Sequence, residues 1–271
     1  MADISAKDVM SLRNRTGLSM MACKKALVEV GGDVDAAEEH LRKQLKGKME
    51  KRADRAAGEG RIAIAKTGDA AAIVELKAET DFTARNDDFV ATAQKLAEQA
   101  AVAPDEGTIA ATEDMEKLVD NIKITTGENI SLGRARRVVG GGDTVFGMYV
   151  HHDGKTGVLL AAKGDVSEDT LRQVGMHVAA AVPRPLGVSQ DDVPAEMVEK
   201  ERKFRIDQAM ESGKPQEIAE KMVEGGMKKF YAEVALLEQK FVMDESKTIK
   251  DVVAPGTITA FYRWEVGEPA E

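Results

Sequence analysis

The chain repeats itself. Residues 61–76 (RIAIAKTGDAAAIVEL) read strand, turn, strand, and residues 148–162 (MYVHHDGKTGVLLAA) read the same way, with Gly68 and Gly154 at the turns. A hairpin turn favours a residue that tolerates positive φ, so glycine suits both places. A helix follows each hairpin, the first ending Ala100-Ala101-Val102-Ala103-Pro104 and the second Ala179-Ala180-Ala181-Val182-Pro183. Two hairpin-plus-helix units with antiparallel sheets, an α+β fold, are therefore expected. The copies differ in length. Matching the turn glycines offsets them by 86 residues, whereas matching the prolines offsets them by 79. The first copy should thus hold seven more residues between hairpin and helix, where Thr80-Asp81-Phe82-Thr83-Ala84-Arg85-Asn86 stands.

That stretch has two readings. In the bland one Asp81 caps a turn and Phe82 folds back into the core. In the sharper one Phe82 is a probe that inserts into a partner. Only 4% of the chain is aromatic, so a large ring in a polar loop needs a reason. A repeat that closes without the loop does not need it for its core, which favours a surface role.

Around the repeat the chain divides readily. Residues 1–45 read as three short helices. Ser5 and Asp8 suit a capping box ahead of Val9 and Leu12, Gly17 ends that helix, and Ser19 caps the next. The second helix stops at Gly31-Gly32. Asp33 caps the third, which places Val34, Ala37, Leu41 and Leu45 on one face. The pattern resembles the ubiquitin-associated (UBA-like) bundle; at this size it should lean on a neighbour or a partner. Residues 46–59 form a charged linker, extended or helical. Residues 60–140 hold the first core subdomain, with Phe89, Ala93, Leu96, Ala97 and Ala100 on one helix face, a second helix over 113–125 and a strand near 130–139. Residues 141–190 and 232–271 hold the second subdomain, with Leu171, Val174, Gly175, Val178 and Val182 on its helix face and a last strand over 257–266. Inserted between them, residues 191–231 read as a helical hairpin turning at Ser212-Gly213-Lys214-Pro215, a projecting coiled-coil arm.

Several function classes find little support. Net charge is −9; residues 1–55 carry +3 and the remainder −12, so the acidic body repels a phosphate backbone. The basic stretch 42–55 reads as a solvated linker, and no direct nucleic-acid partner is expected. No apolar run approaches a membrane span, no signal-peptide core opens the chain, and the single cysteine, Cys23, has no internal partner; no membrane association and a cytoplasmic location follow. Gly140-Gly141-Gly142 lacks the strand-to-helix context of a phosphate loop and reads as a hinge. No cysteine pair offers a zinc site. His151 and His152, as neighbours on a strand, should point to opposite faces and share no metal. Cys23 reads as a small buried hydrophobe. No catalytic residue, metal or cofactor is expected.

Four motifs carry a resemblance. They are Thr80-Asp81-Phe82-x-Ala84-Arg85-Asn86; Leu12-Arg13-x-Arg15-Thr16-Gly17-x-x-Met20-Met21-x-Cys23-Lys24-Lys25-Ala26-Leu27; Tyr149-Val150-His151 leading to Gly157-Val158-Leu159; and Ser212-Gly213-Lys214-Pro215-x-x-Ile218 running on to Gly225. With these motifs in the expected order along about residues 4–267, the chain resembles the bacterial elongation factor Ts family. The resemblance implies a guanine-nucleotide exchange factor, without bond chemistry of its own, that binds elongation factor Tu in its GDP-bound and nucleotide-free forms and promotes GDP release. It implies that Thr80, Asp81, Phe82, Arg85 and Asn86 form the exchange loop that disturbs the partner's Mg²⁺ and phosphate site. It further implies that Leu12, Arg13, Thr16, Gly17 and Met20 clamp the same nucleotide domain, and that His151 with Gly157 meets a distal domain. The helical hairpin is implied to be a dimerisation or partner-binding arm, compatible with a homodimer or a 2:2 complex. Longer family members continue into a C-terminal helix that also touches the GTPase; with Gly267–Glu271 as the last residues here, that contact is expected to be absent or replaced. The alternative from another class is a UBA-like binding adaptor without exchange activity, which the bundle alone would fit. An inserted aromatic in a second domain speaks against it.

Overall fold

The computed structural model describes residues 4–50, 54–213 and 215–269. Residues 51–53 of the expected linker, Lys214 of the expected turn and the terminal residues 1–3 and 270–271 lie outside that description. The fold mixes helices with antiparallel sheets and divides into two compact units. One holds Met1–Thr67, Ala72–Val138 and Glu265–Glu271; the other holds Gly68–Ala71 and Val139–Trp264.

The first unit begins with α1 (Ala6–Thr16), α2 (Met20–Glu29) and α3 (Val34–Glu50). Ser5, Ser19 and Asp33 each accept a backbone N–H of the following helix, as their placement before an apolar periodic run requires. The three helices close on Val9, Leu12, Cys23, Ala26, Leu27, Ala37 and Leu41. Because α3 runs to Glu50, the start of the expected linker is helix. Then come β1 (Glu59–Thr67), β2 (Ala70–Ala78), α4 (Asp81–Ala84), α5 (Asp87–Ala101), β3 (Gly107–Thr108), α6 (Glu113–Thr126) and β4 (Ser131–Val139), the strands ordered β1-β2-β4-β3. Central β2 is buried at every residue but Lys77, so it reads as a continuous apolar run and not as an alternation. Helix α5 packs on this sheet through Phe89, Ala93, Leu96, Ala97 and Ala100, all fully buried. Its three alanines let the helix backbone come close, and Phe89 and Leu96 fill the space left over. Burying each large side chain contributes about 1.5–3 kcal/mol. The bundle leans on this subdomain: α1 and α3 pack against α6. A Cβ on Gly17 would stand 2.9 Å from Thr125 Cγ2, so α1 and α6 approach there because the residue is glycine.

The second unit contains β5 (Thr144–Val150), β6 (Thr156–Lys163), α7 (Glu168–Ala180), α8 (Ala195–Glu211), α9 (Gln216–Val234), β7 (Lys240–Phe241), β8 (Asp244–Thr248), α10 (Ile249–Val253) and β9 (Thr257–Glu265). Strands β5 and β6 form the expected antiparallel hairpin, in register from Thr144 opposite Lys163 to Val150 opposite Gly157, and β9 lies beyond β6. Both hairpin glycines take positive φ, 53° at Gly68 and 75° at Gly154. Leu171, Val174 and Val178 bury the inner face of α7. Val182, expected on that face, is 95% exposed because the helix stops two residues earlier. Short elements that periodicity does not reveal, β7, β8 and α10, complete this core with Phe241, Ile249 and Val253. Helices α8 and α9 pack side by side. At their base Phe230 and Tyr231 pack with Val193, Val198 and Val234, whereas Phe204, Ile206, Met210 and Ile218 farther along are exposed.

The seven extra residues of the first repeat are spread more widely than the matched glycines and prolines suggest. Four lie in the connection, which is residues 79–86 in one copy and 164–167 in the other; two lengthen the helix and one lengthens the second strand.

Candidate functional site

The connection 79–86 is not an open loop. Residues Asp81–Ala84 form one turn of helix, and its N-cap is Thr80, whose hydroxyl accepts the Thr83 N–H at 3.3 Å. Asp81 is therefore the first helical residue and not the cap. Ala84 points inward and is buried. Phe82 points outward and is 84% exposed, so it does not fold back into the core. Arg85 reaches back to Asp81 at 3.4 Å, an exposed pair of little energetic weight. Asn86 caps α5 by accepting the Asp88 N–H at 2.9 Å. Of the five residues expected here, Phe82, Asp81 and Arg85 have side chains that reach solvent, whereas Thr80 and Asn86 shape the turn.

One turn of helix has too few internal hydrogen bonds to hold itself. The missing restraint comes from the far end of α6. Gly127 ends that helix with φ 72°, a left-handed cap that reverses the chain. Glu128 then faces the turn. Its Oε2 accepts the N–H groups of Glu79 and Thr80, both at 3.2 Å. Its Oε1 accepts the hydroxyls of Thr80 and Thr83, both at 2.7 Å. Glu79 reciprocates, accepting the Asn129 N–H at 2.7 Å and pairing with Arg55 at 3.2 Å. The Asn129 side chain donates to the Arg55 carbonyl at 2.8 Å. No local pattern in the sequence marks Glu128, because its partners lie 45–49 residues away.

The N-terminal set divides similarly. Leu12 is fully buried in the bundle, so its expected direct contact with a partner does not fit; the residue holds α1 in place from inside. Thr16 donates its hydroxyl to the Leu12 carbonyl at 2.7 Å, and Gly17 is the left-handed end of α1 at φ 69°. Arg13 and Met20 face solvent. Met20 is 48% exposed, and Met21 and Val28, which the expected set did not include, are more so. Met21 and Val28 line one surface of α2 together with Ala22.

His151 and His152 correct the strand argument. Strand β5 ends at Val150, so both histidines lie in the turn and their rings approach to 4.2 Å between centroids. Tyr149 Oη and His151 Nδ1 are 2.8 Å apart. Gly157 is buried in β6 opposite Val150 and offers no surface. His177 is 2% exposed. Its Nδ1 accepts the Val242 N–H at 3.3 Å and its Nε2 meets Gln239 Oε1 at 3.0 Å, an arrangement for a neutral ring donating from Nε2. Burial holds its pKa below the ordinary histidine value. These bonds make His177 a packed core histidine. Cys23 is likewise buried, 3.6 Å from the Thr16 hydroxyl. Among the described residues no group of three or more His, Cys, Asp or Glu side chains gathers as a metal site would. None of the described helices is long and apolar enough to cross a membrane.

A family model described as Elongation factor TS matches residues 79–268. A protein named Elongation factor Ts from Vibrio cholerae serotype O1 is 42% identical, over 99% of this chain and 93% of its own length. The Elongation factor Ts of Actinobacillus succinogenes is 42% identical over the whole of this chain and 94% of its own, and that of Maricaulis maris matches to the same extent.

Proposed function

The chain belongs to the elongation factor Ts family, and from that premise we propose that it binds elongation factor Tu and speeds GDP release by driving Phe82 into the partner's nucleotide domain. A factor of this kind makes and breaks no covalent bonds. It binds the nucleotide-free GTPase better than the GDP form, and linkage then requires GDP to bind correspondingly less well to the complex. The observation that carries the reading is an aromatic side chain held 84% exposed on a braced turn in a protein poor in aromatics. Burying a Phe on a partner contributes roughly 1.5–3 kcal/mol, enough to shift a packed helix. Asp81 beside it adds directional hydrogen bonds. A small shift suffices, because Mg²⁺ demands near-octahedral coordination and the nucleotide loses its counter-ion when that shell is disturbed.

The rest of the molecule grips. The exposed side chains of Arg13, Met20, Met21 and Val28 on a UBA-like bundle suit a clamp on the same domain. The turn at His151 suits contact with a distal domain, and the α8–α9 pair suits a coiled-coil arm that joins a second copy or the partner. A cytoplasmic site of action fits a translation factor. A binding adaptor would use the bundle's exposed side chains as well, but it leaves Phe82 without a purpose. The direct test is release of a fluorescent GDP analogue from purified elongation factor Tu. Release accelerated in proportion to added protein supports the reading; an unchanged rate under saturating conditions refutes it.

A further inference from the structure

We propose that Glu128 is the positioning residue of the exchange turn. The inference rests on the functional reading of Phe82 and adds what fixes that ring in space. An exposed side chain acts as a wedge only if its backbone resists being pushed back, and nothing around the Phe82 ring itself supplies that resistance. The turn is short, its N-cap hydroxyl is shared, and its one buried side chain is an alanine. Four donors, the N–H groups of Glu79 and Thr80 and the hydroxyls of Thr80 and Thr83, converge on one carboxylate. Charge-assisted bonds to a single ionised group are stronger than neutral ones, and their shared acceptor ties the entry and the body of the turn together. The carboxylate stands on the end of α6, whose Met115, Val119 and Ile122 are buried in the first core. A load on Phe82 therefore passes through Glu128 into a packed helix. Glu128 touches neither nucleotide nor partner in this scheme; it acts through Phe82.

The consequence is a coupling between two residues. Glu128→Ala should slow GDP release at saturating protein by roughly fivefold, within the span seen for directly coupled side chains. In a Phe82→Ala background it should cost almost nothing further, because a wedge that is missing cannot be misplaced. Glu128→Gln, which keeps one acceptor and can turn its amide to the rotatable hydroxyls, should restore much of the loss. Backbone hydrogen exchange gives a readout independent of activity. Amides of Glu79, Thr80 and Thr83 should lose protection in Glu128→Ala, while those of Ile73, Val74 and Leu76 in β2 keep theirs. Equal slowing by Glu128→Ala in both backgrounds, or unchanged protection of the turn, would overturn the inference and leave the role of Phe82 standing. Phe82→Ala without effect on release would overturn the functional reading itself, and the protection data would still report whether Glu128 holds the turn.

Discussion

The two connections between hairpin and helix show what the first repeat adds. In the second repeat four residues, 164–167, carry the chain from β6 to α7. Val166 packs against the core and Ser167 caps the helix. In the first repeat eight residues do the same job and also end in a cap, Asn86. The difference is not slack. It is a capped helical turn with one side chain inward, Ala84, and one outward, Phe82. The short connection spends its large apolar residue on the core, and the long one directs its own to solvent. Closing the repeat needs only the former, so the latter is there for something outside the fold.

Transplanting the short connection breaks this comparison most severely. Replacing residues 79–86 by Gly-Asp-Val-Ser should leave a folded protein, since the second repeat closes with that length. Catalysed GDP release should fall by more than about a hundredfold, because Asp81 and Arg85 go together with Phe82. A transplant that still accelerates release would place the activity elsewhere. Ala97→Leu should do the reverse. Overpacking α5 against the sheet costs about 1–3 kcal/mol and lowers the melting temperature, while release per folded molecule stays unchanged. A loss of specific activity there would mean that the sheet, and not the turn, transmits the effect.

Smaller effects sharpen the contrast between wedge and grip. Met20→Ala on the bundle should raise the Kd for GDP-bound elongation factor Tu by roughly three- to tenfold with the saturating rate intact; a lowered saturating rate would make Met20 part of the push. The smallest effect belongs to the second repeat, through His177. Its folded pKa lies below the ordinary 6.5 because burial disfavours the cation. As pH falls below that ordinary value the unfolded chain takes up the proton first, so stability is flat above the ordinary value and declines from there toward the lowered folded pKa. Calorimetry from pH 7.5 to 5 should show that decline, and His177→Gln should flatten it. An equal decline in the variant would assign the titration to other groups.

Much of this was legible in the chain. The bundle helices announce their caps with Ser5, Ser19 and Asp33, and their faces with period-3.6 spacing. The two hairpins follow from Gly68 and Gly154. Phe82 could be singled out because the repeat supplies its own control. What stayed hidden is long-range or short-lived in sequence. Residues 240–253 fold as strands of two and five residues and a five-residue helix, too brief for a period to show. Glu128 follows a helix-ending glycine like any surface acid; only the fold brings it to Thr80. Leu12 fits a partner-binding motif and an apolar helix face equally well, and its burial decides for the face. His151 and His152 escape the alternation rule because the strand stops one residue before them.

The claim at the centre is that Phe82 pushes on the partner and does not hold up the fold. It is tested most directly by one pair of curves, release of fluorescent GDP from elongation factor Tu against the concentration of wild-type protein and of Phe82→Ala. The account predicts a plateau lowered by roughly tenfold in the variant, equivalent to about 1.4 kcal/mol of lost transition-state stabilisation, with melting temperatures that coincide. Superimposable curves, or a variant that melts far below the wild type, would contradict it.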